Sequence, residues 1–424
     1  MPASTPRSYV LLPLLLPAVA TAIRRADSGE CVAPGSCSPP QASHSVVIRG
    51  PSPGQQWNYD GGFCGAWSTQ QCALAHGVYV SQDLVRKANR ESSGPHDMHG
   101  NTRLGYVIND ENENENENPT VLLFLEVMPI NVAFTAEKLK LDYDEWDYTQ
   151  PSPQAAGFKA WLKAHLVGGN PIVFFPMCKG DGHKCYRSSP EDEGSCPNGG
   201  TCDHVEPIFG IFTNASLDDA TVYDDDVILH ASDQDMMPYF RRMETLQDSE
   251  KMDGNCAIAQ PGFGKNEMSV LLVSHRGLWY PCFDEDVTYG LAVKGTAATK
   301  NARKQQQQSN SSSSSREGPV LPHVSLTIDI DYEPNVRIFE KPCVVHGNVS
   351  VDLSGLEHGQ QCTLYRYNST EAFPTTAPYD QGYQYATNFT VDLESSSGKA
   401  KEWAFSDPNP FYSNTAVYYL ATCA

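Results

Sequence analysis

Gly61-Gly62-Phe63-Cys64-Gly65-Ala66-Trp67-Ser68 sets a cysteine where two glycines hand over to a helix. The glycines permit a tight backbone path, and no breaker interrupts 65–76. A thiol at the head of a helix faces the positive end of the helix dipole and free backbone N–H groups. These favour a thiolate and offer a pocket for a developing oxyanion. Cys64 is therefore a candidate nucleophile, the competing reading being a disulfide cysteine that happens to follow glycines. A thiol nucleophile needs a base that meets it in space. Among twelve histidines, His204 is the candidate, because it stands directly before the apolar run 205–212, which can hold it rigidly at a sheet end. A third group should orient the imidazole through its other nitrogen. Asp233 closes the next strand run, 222–232, at the end a hairpin would bring back beside His204, and Asp226 is the alternative.

Working outward, 81–89 reads as a second helix, and 154–166 as a third, with Phe158, Trp161, Leu162 and Leu166 at helical spacing. The third stops at Gly168-Gly169 and leads into the strand-length run 171–177. Helices followed by strands predict an α+β fold with an antiparallel sheet. Two insertions interrupt this region: 109–119, alternating Asn with acidic residues, and 178–202, rich in Gly, Pro and charges. Cys178, His183, Cys185, Cys196, Cys202 and His204 are zinc-binding residue types, but paired Cys-x-x-Cys knuckles are lacking, so the set does not read as a metal site and its four cysteines read as disulfide staples of a loop beside His204. The Gln/Ser-rich stretch 297–318 reads as a linker, and beyond it 324–330, 344–353, 363–367, 388–393 and 416–420 are short alternating runs separated by turn residues. That pattern predicts a small all-β sandwich over 319–424.

The chain has 424 residues, 40% of them hydrophobic, enough for two domains with sizeable cores. With 30 basic and 51 acidic residues the net charge is −21, which argues against nucleic acid or an anionic membrane surface as partner. Residues 1–22 read as a signal peptide: Arg7, the apolar run 9–22 broken by Pro13 and Pro17, and the cleavage pattern Ala20-Thr21-Ala22. An irregular leader, 23–54, follows. A secreted, N-glycosylated protein without stable membrane insertion is expected, with sequons at Asn214, Asn348, Asn368 and Asn388 and a weaker one at Asn310. Thirteen cysteines in an oxidising compartment should pair, and the odd count leaves at least one thiol over.

The order of these residues resembles the papain-like cysteine peptidases: a Cys-Gly dipeptide opening a helix, a Gly-x-Pro-apolar strand (Gly169, Pro171), HVEPIFGIF from His204, and an acid closing the following strand. Within them it is most similar to the bacteriocin-leader-processing peptidase group, over about residues 55–235. The resemblance implies a papain-like fold over 55–296, with Cys64 as nucleophile, His204 as general base and acid, and Asp233 as orienting group. Peptide or protein substrates would be cleaved through a thioester, with no cofactor. The family's oxyanion-donating glutamine maps to Gln56, or to Asn58 where the usual spacing falls, with Gln55 adjacent. The chain lacks the Cys-Gly-Ser-Cys-Trp run of the papain branch, and its Cys-rich insertion is foreign to the pattern. The 349–365 region resembles fibronectin-type or immunoglobulin-like strand pairs. A catalytically inactive recognition protein that uses the same shell as a scaffold is the alternative reading.

Overall fold

The structure, a computed structural model, describes residues 40–49, 64–90, 106–109, 121–124, 127, 132–147, 155–175, 177–179, 201–203, 205–231, 238–243, 270–273, 278–281, 289–311, 321–330, 344–345, 347–391, 403–407, 411–412 and 416–423. The expected signal peptide and most of the leader lie outside these residues.

The described elements are mixed α+β. Helices are α1 (Cys64–Leu74), α2 (Gln82–Arg90), α3 (Val132–Lys138), α4 (Ala155–Val167) and α5 (Ala297–Ser311). One antiparallel sheet is built from β1 (His44–Val47), β3 (Leu141–Glu145), β4 (Ile172–Phe175), β5 (Glu206–Thr213), β6 (Val227–Ala231), β7 (Pro238–Arg242) and β8 (Tyr289–Thr296). Its order is β7-β6-β5-β4-β8-β3, with β1 also on β5. Alternation sorts its side chains between two cores. Val173, Phe175, Leu291 and Val293 join the cluster that holds Ala66, Cys72 and Ala73 of α1. Ile172, Phe174 and Ala292 join Phe158, Leu162 and Leu166 of α4. Because both faces are covered, β4 is buried throughout and reads as a continuous apolar run, not an alternating one.

Two further sheets face each other across a core. One has the order β9 (His323–Ile330), β10 (Gly347–Ser354), β13 (Trp403–Asp407). The other runs β12 (Tyr385–Thr390), β11 (Gln361–Tyr367), β14 (Ala416–Cys423), β2 (Val78–Val80). Val324, Leu326, Val349 and Val351 of the first pack with Leu364, Val417 and Ala421 of the second. Cys362 and Cys423 are opposed on β11 and β14 and form a disulfide. Arg366 Nε lies 2.5 Å from Asp407 Oδ2, and the Tyr419 hydroxyl donates to the same oxygen. Both charged side chains are buried, so the pair is viable only because each has these partners.

Two boundary expectations need correction. The sandwich is not set apart at residue 319: β2, from the first region, completes its sheet by pairing with β14, and Leu74 and Tyr79 lie in its core. Gly77 makes the join. It ends α1 at φ +76°, its carbonyl accepts the Tyr419 N–H, and an added Cβ would lie 2.8 Å from Val324. The stretch 297–318 is not a plain linker either, since 297–311 form α5. Lys300 and Arg303 hold Asp142 at 2.9 and 2.7 Å, and Asn301 donates to the Thr375 carbonyl. Glutamine and lysine form helix readily, so a polar run in which Ala298 and Ala302 are the buried residues among 297–308 need not be coil. The two expected insertions connect short antiparallel ladders, Tyr106–Asn109 with Val121–Phe124 and Met177–Lys179 with Thr201–Asp203; the second ladder's register sets Cys178 opposite Cys202.

Candidate active site

α1 is buried from Gly65 to Leu74, and Cys64, at its head, is half-buried. Such a helix survives in the interior only if its polar side chains are satisfied. Thr69 Oγ1 donates back to the Gly65 carbonyl, Gln70 Nε2 to Val80 O at 2.7 Å, and Ser68 Oγ to Val205 O at 2.9 Å. Cys64 packs against the cluster that contains Val127, Phe175 and Val205.

Two cysteines on α1 stand as thiols, in different environments. Cys72 is fully buried, and burial pushes its thiol well above the ordinary cysteine range, so it is held neutral and unreactive. Cys64 has the partial exposure and the helix-terminal position that a nucleophile needs. Gly65 is required beside it: a Cβ there would lie 2.5 Å from Val127 O and 2.8 Å from Val127 Cβ. Gly65→Ala must displace the head of α1 from Val127. It is expected to cost about 1–3 kcal/mol in urea denaturation and to slow alkylation of Cys64. Unchanged stability and reactivity would refute this packing.

His204 lies outside the described residues, but Val205, to which it is bonded, does not. The β4–β5 pairing reaches Phe174↔Glu206 and the same register resumes at Met177↔Asp203, so Val205 lies between the two; its carbonyl accepts the Ser68 hydroxyl, one turn along α1 from Cys64. Asp233, Gln56, Gln55 and Asn58 also lie outside the described residues, as do His183, Cys185 and Cys196. Asp233 follows the last residue of β6, Ala231, by two positions.

Asp226 is corrected by register. β5 and β6 are antiparallel, with Val227 opposite Phe212 and His230 opposite Ile208. Asp226 is thus at the far end of β5 from Val205, roughly 25 Å away at about 3.3 Å per residue. It is instead paired with Lys163 of α4 at 2.9 Å, both side chains buried. The sequence reading also missed Ser68 and a buried pair on β5 and β6, Glu206 Oε2 with His230 Nδ1 at 2.9 Å. No local signal marked the first, since Ser68 is followed by the equally polar Thr69, Gln70 and Gln71. A glutamate next to Val205 in an otherwise apolar strand was the signal for the second. Among the described residues no group of three or more His, Cys, Asp or Glu side chains could hold a metal ion. No described helix is long and apolar enough to cross a membrane.

Comparison with family models, with curated proteins and with solved structures gave no match.

Proposed function

We propose that this protein is a secreted, N-glycosylated cysteine hydrolase of papain-like fold that cleaves peptide bonds. The observation that carries the reading is a half-buried thiol heading a buried helix whose next turn is hydrogen-bonded to the residue after His204. The Cys64 thiolate attacks the amide carbonyl carbon, and the carbonyl electron pair moves onto oxygen. N–H groups at the head of α1, with the Gln56 or Asn58 side-chain amide, hold the oxyanion. Collapse expels the amine, which takes its proton from the His204 imidazolium and leaves a thioester on Cys64. His204 then deprotonates water, which attacks the thioester and releases acid and thiolate. Asp233 orients the imidazole through its other nitrogen.

The test is alkylation of the native protein with mass mapping, together with hydrolysis of casein by wild type and Cys64→Ala. Cys64 should be labelled rapidly, Cys72 should be protected, and Cys64→Ala should abolish turnover. A bridged Cys64, or turnover that survives Cys64→Ala, overturns the proposal. A second reading, a recognition protein, is favoured by Tyr383 and Tyr385, exposed by 43% and 38% on the sandwich. It requires binding of a partner to be unaffected by Cys64→Ala and to be lost on replacing those tyrosines.

A further inference from the structure

We infer that an N-linked glycan on Asn388 guards an open sheet edge, and that copies of this chain without it pair edge to edge; the inference rests on the secreted, N-glycosylated reading above and uses none of its catalytic residues. An end strand offers a row of unpaired N–H and C=O groups to any similar strand, and proteins blunt it with charge, proline, shortness or burial. Among the described residues, the sheets of three or more strands carry such a device at every end strand but one. In the large sheet β7 holds Pro238, Arg241 and Arg242, β3 holds Asp142, Asp144 and Glu145, and β1 is 4 residues long. In the three-stranded sheet β9 holds Asp329, and β13 the buried, inward-lying Asp407. In the four-stranded sheet β2 is 3 residues long and wholly buried. At the other end of that sheet β12 runs Tyr-Ala-Thr-Asn-Phe-Thr, without a charge or a proline. Its register on β11 is unbroken from Gln361↔Thr390 to Arg366↔Tyr385, so no bulge turns the edge away. Tyrosine, threonine and phenylalanine favour extended chain, and an uncharged segment of this type adds readily to its own copy.

The sequon Asn388-Phe389-Thr390 falls inside this strand. Phe389 packs against the sandwich core, so Asn388 stands on the opposite face. There it is exposed; its Oδ1 accepts the Thr363 hydroxyl at 2.7 Å, and its Nδ2 meets no hydrogen-bond partner among the described residues. The other sequons are not on end strands. Asn214 follows β5, with its amide engaged by the Ser43 N–H and by Asp225, and Asn310 lies in α5. Asn348 is on β10, between β9 and β13, and Asn368 follows β11, where its Oδ1 accepts from the buried Arg366. In the transfer, Nδ2 attacks the anomeric carbon of a lipid-diphosphate-linked oligosaccharide. The C–N bond forms, the C–O bond to the diphosphate breaks, and the nitrogen gives up one proton and keeps the other. The bulky, hydrated sugar then stands beside the open edge and excludes a second strand. Because β2 is buried, each copy has one open edge in this sheet, so bare copies close into a two-fold pair and stop there.

The experiment expresses the full chain in a glycosylating secretory host, maps the glycans by mass, and sediments wild type, Asn388→Gln, Thr390→Ala, Thr390→Ser and Asn388→Lys over a range of concentrations. Wild type and Thr390→Ser should carry sugar at Asn388 and sediment as monomers. Asn388→Gln and Thr390→Ala should lack it and show about twofold the mass, reversed on dilution. Asn388→Lys also lacks the sugar but sets a charge on the strand, and should stay monomeric. A bare Asn388 in wild type whose other sequons are occupied overturns the inference. So do Asn388→Gln and Thr390→Ala variants that fold by urea denaturation and remain monomers, or an Asn388→Lys that pairs as Asn388→Gln does. Where neither uncharged variant folds, Asn388→Lys decides: a folded monomer supports the guard, and failure of this variant too shows that the sugar serves folding and not the edge. If wild type from that host carries glycan at no sequon, the secreted, N-glycosylated reading itself fails and takes this inference with it.

Discussion

Lys163→Met will cost about 3–5 kcal/mol of folding stability, measured by urea denaturation, because it strands the carboxylate of Asp226 in the interior. The pair closes at 2.9 Å with side-chain exposures of 2% and 0%. Lys163 Nζ also donates to Thr221 O at 2.5 Å, and Asp226 Oδ2 also accepts the Tyr223 N–H at 3.1 Å. The network therefore fastens α4 to the turn that launches β6, and an uncompensated buried carboxylate is what makes its rupture costly. The double variant Lys163→Met, Asp226→Leu should recover most of the loss, since an apolar pair of similar volume removes both desolvation penalties. Two further variants separate the two aspartates weighed as orienting groups: folded Asp226→Asn should keep the wild-type pH profile of Cys64 alkylation, while Asp233→Asn should not. A loss under 1 kcal/mol in Lys163→Met, or a changed thiol profile in Asp226→Asn, would contradict the placement.

α1, α2, α4, β4, β5 and β6 were legible because their signals are local. Unbroken helical stretches, the Gly168-Gly169 stop and apolar runs of strand length each lie within about a dozen residues. Partnership is not local. Val78–Val80 is three residues long and its strand partner is near the other end of the chain, so nothing around it announces that it completes the sandwich. Polar Gln70 and Gln71 give α1 no amphipathic stripe, and only the finished fold, which surrounds the helix on all sides, explains their burial. β3, Leu-Asp-Tyr-Asp-Glu, holds three acidic residues in five, yet Asp142 is buried, with two cations brought to it by α5. The site follows the same rule. Cys64 could be nominated from its immediate neighbours, whereas choosing between Asp226 and Asp233 requires the register of β5 against β6. The hydrogen bond of Ser68 is visible only once the segment that carries Val205 is placed against α1.

Acid should act on the join between α1 and the sandwich through His76. The ring is buried, its Nε2 lies 2.8 Å from Val293 O, and the ring of His323 on β9 meets it edge-on at 5.7 Å. A carbonyl only accepts, so Nε2 carries the proton and donates it. Burial, then the neighbouring His323 and Arg303, lower the His76 pKa from 6.5 to about 3, outweighing the opposing effect of Val293 O. The unfolded chain therefore binds a proton that the folded chain refuses between about pH 6.5 and pH 3. Stability from this group is intact above that window and is lost as pH falls through it. At about 1.36 kcal/mol per unit, the loss on going from pH 7 to pH 4.5 is roughly 2–3 kcal/mol. Asp83 works in the opposite direction, since burial raises its pKa to about 6 and it gains a proton on folding as pH falls. Asp144, lowered from 3.8 to about 2 chiefly by its hydrogen bond to His165, supplies stability that is intact above its ordinary value and is lost only as pH falls below it. The wild-type acid curve alone therefore mixes signs. Comparison with His76→Gln, which keeps an N–H donor for Val293 and cannot titrate, cancels the other groups. Between pH 7 and pH 4.5 the stability of the variant relative to wild type should rise by about 2–3 kcal/mol, read by urea denaturation at each pH. Parallel pH curves for the two proteins would show that His76 takes its proton in the folded state at an ordinary pH and that the join is not the acid-sensitive element.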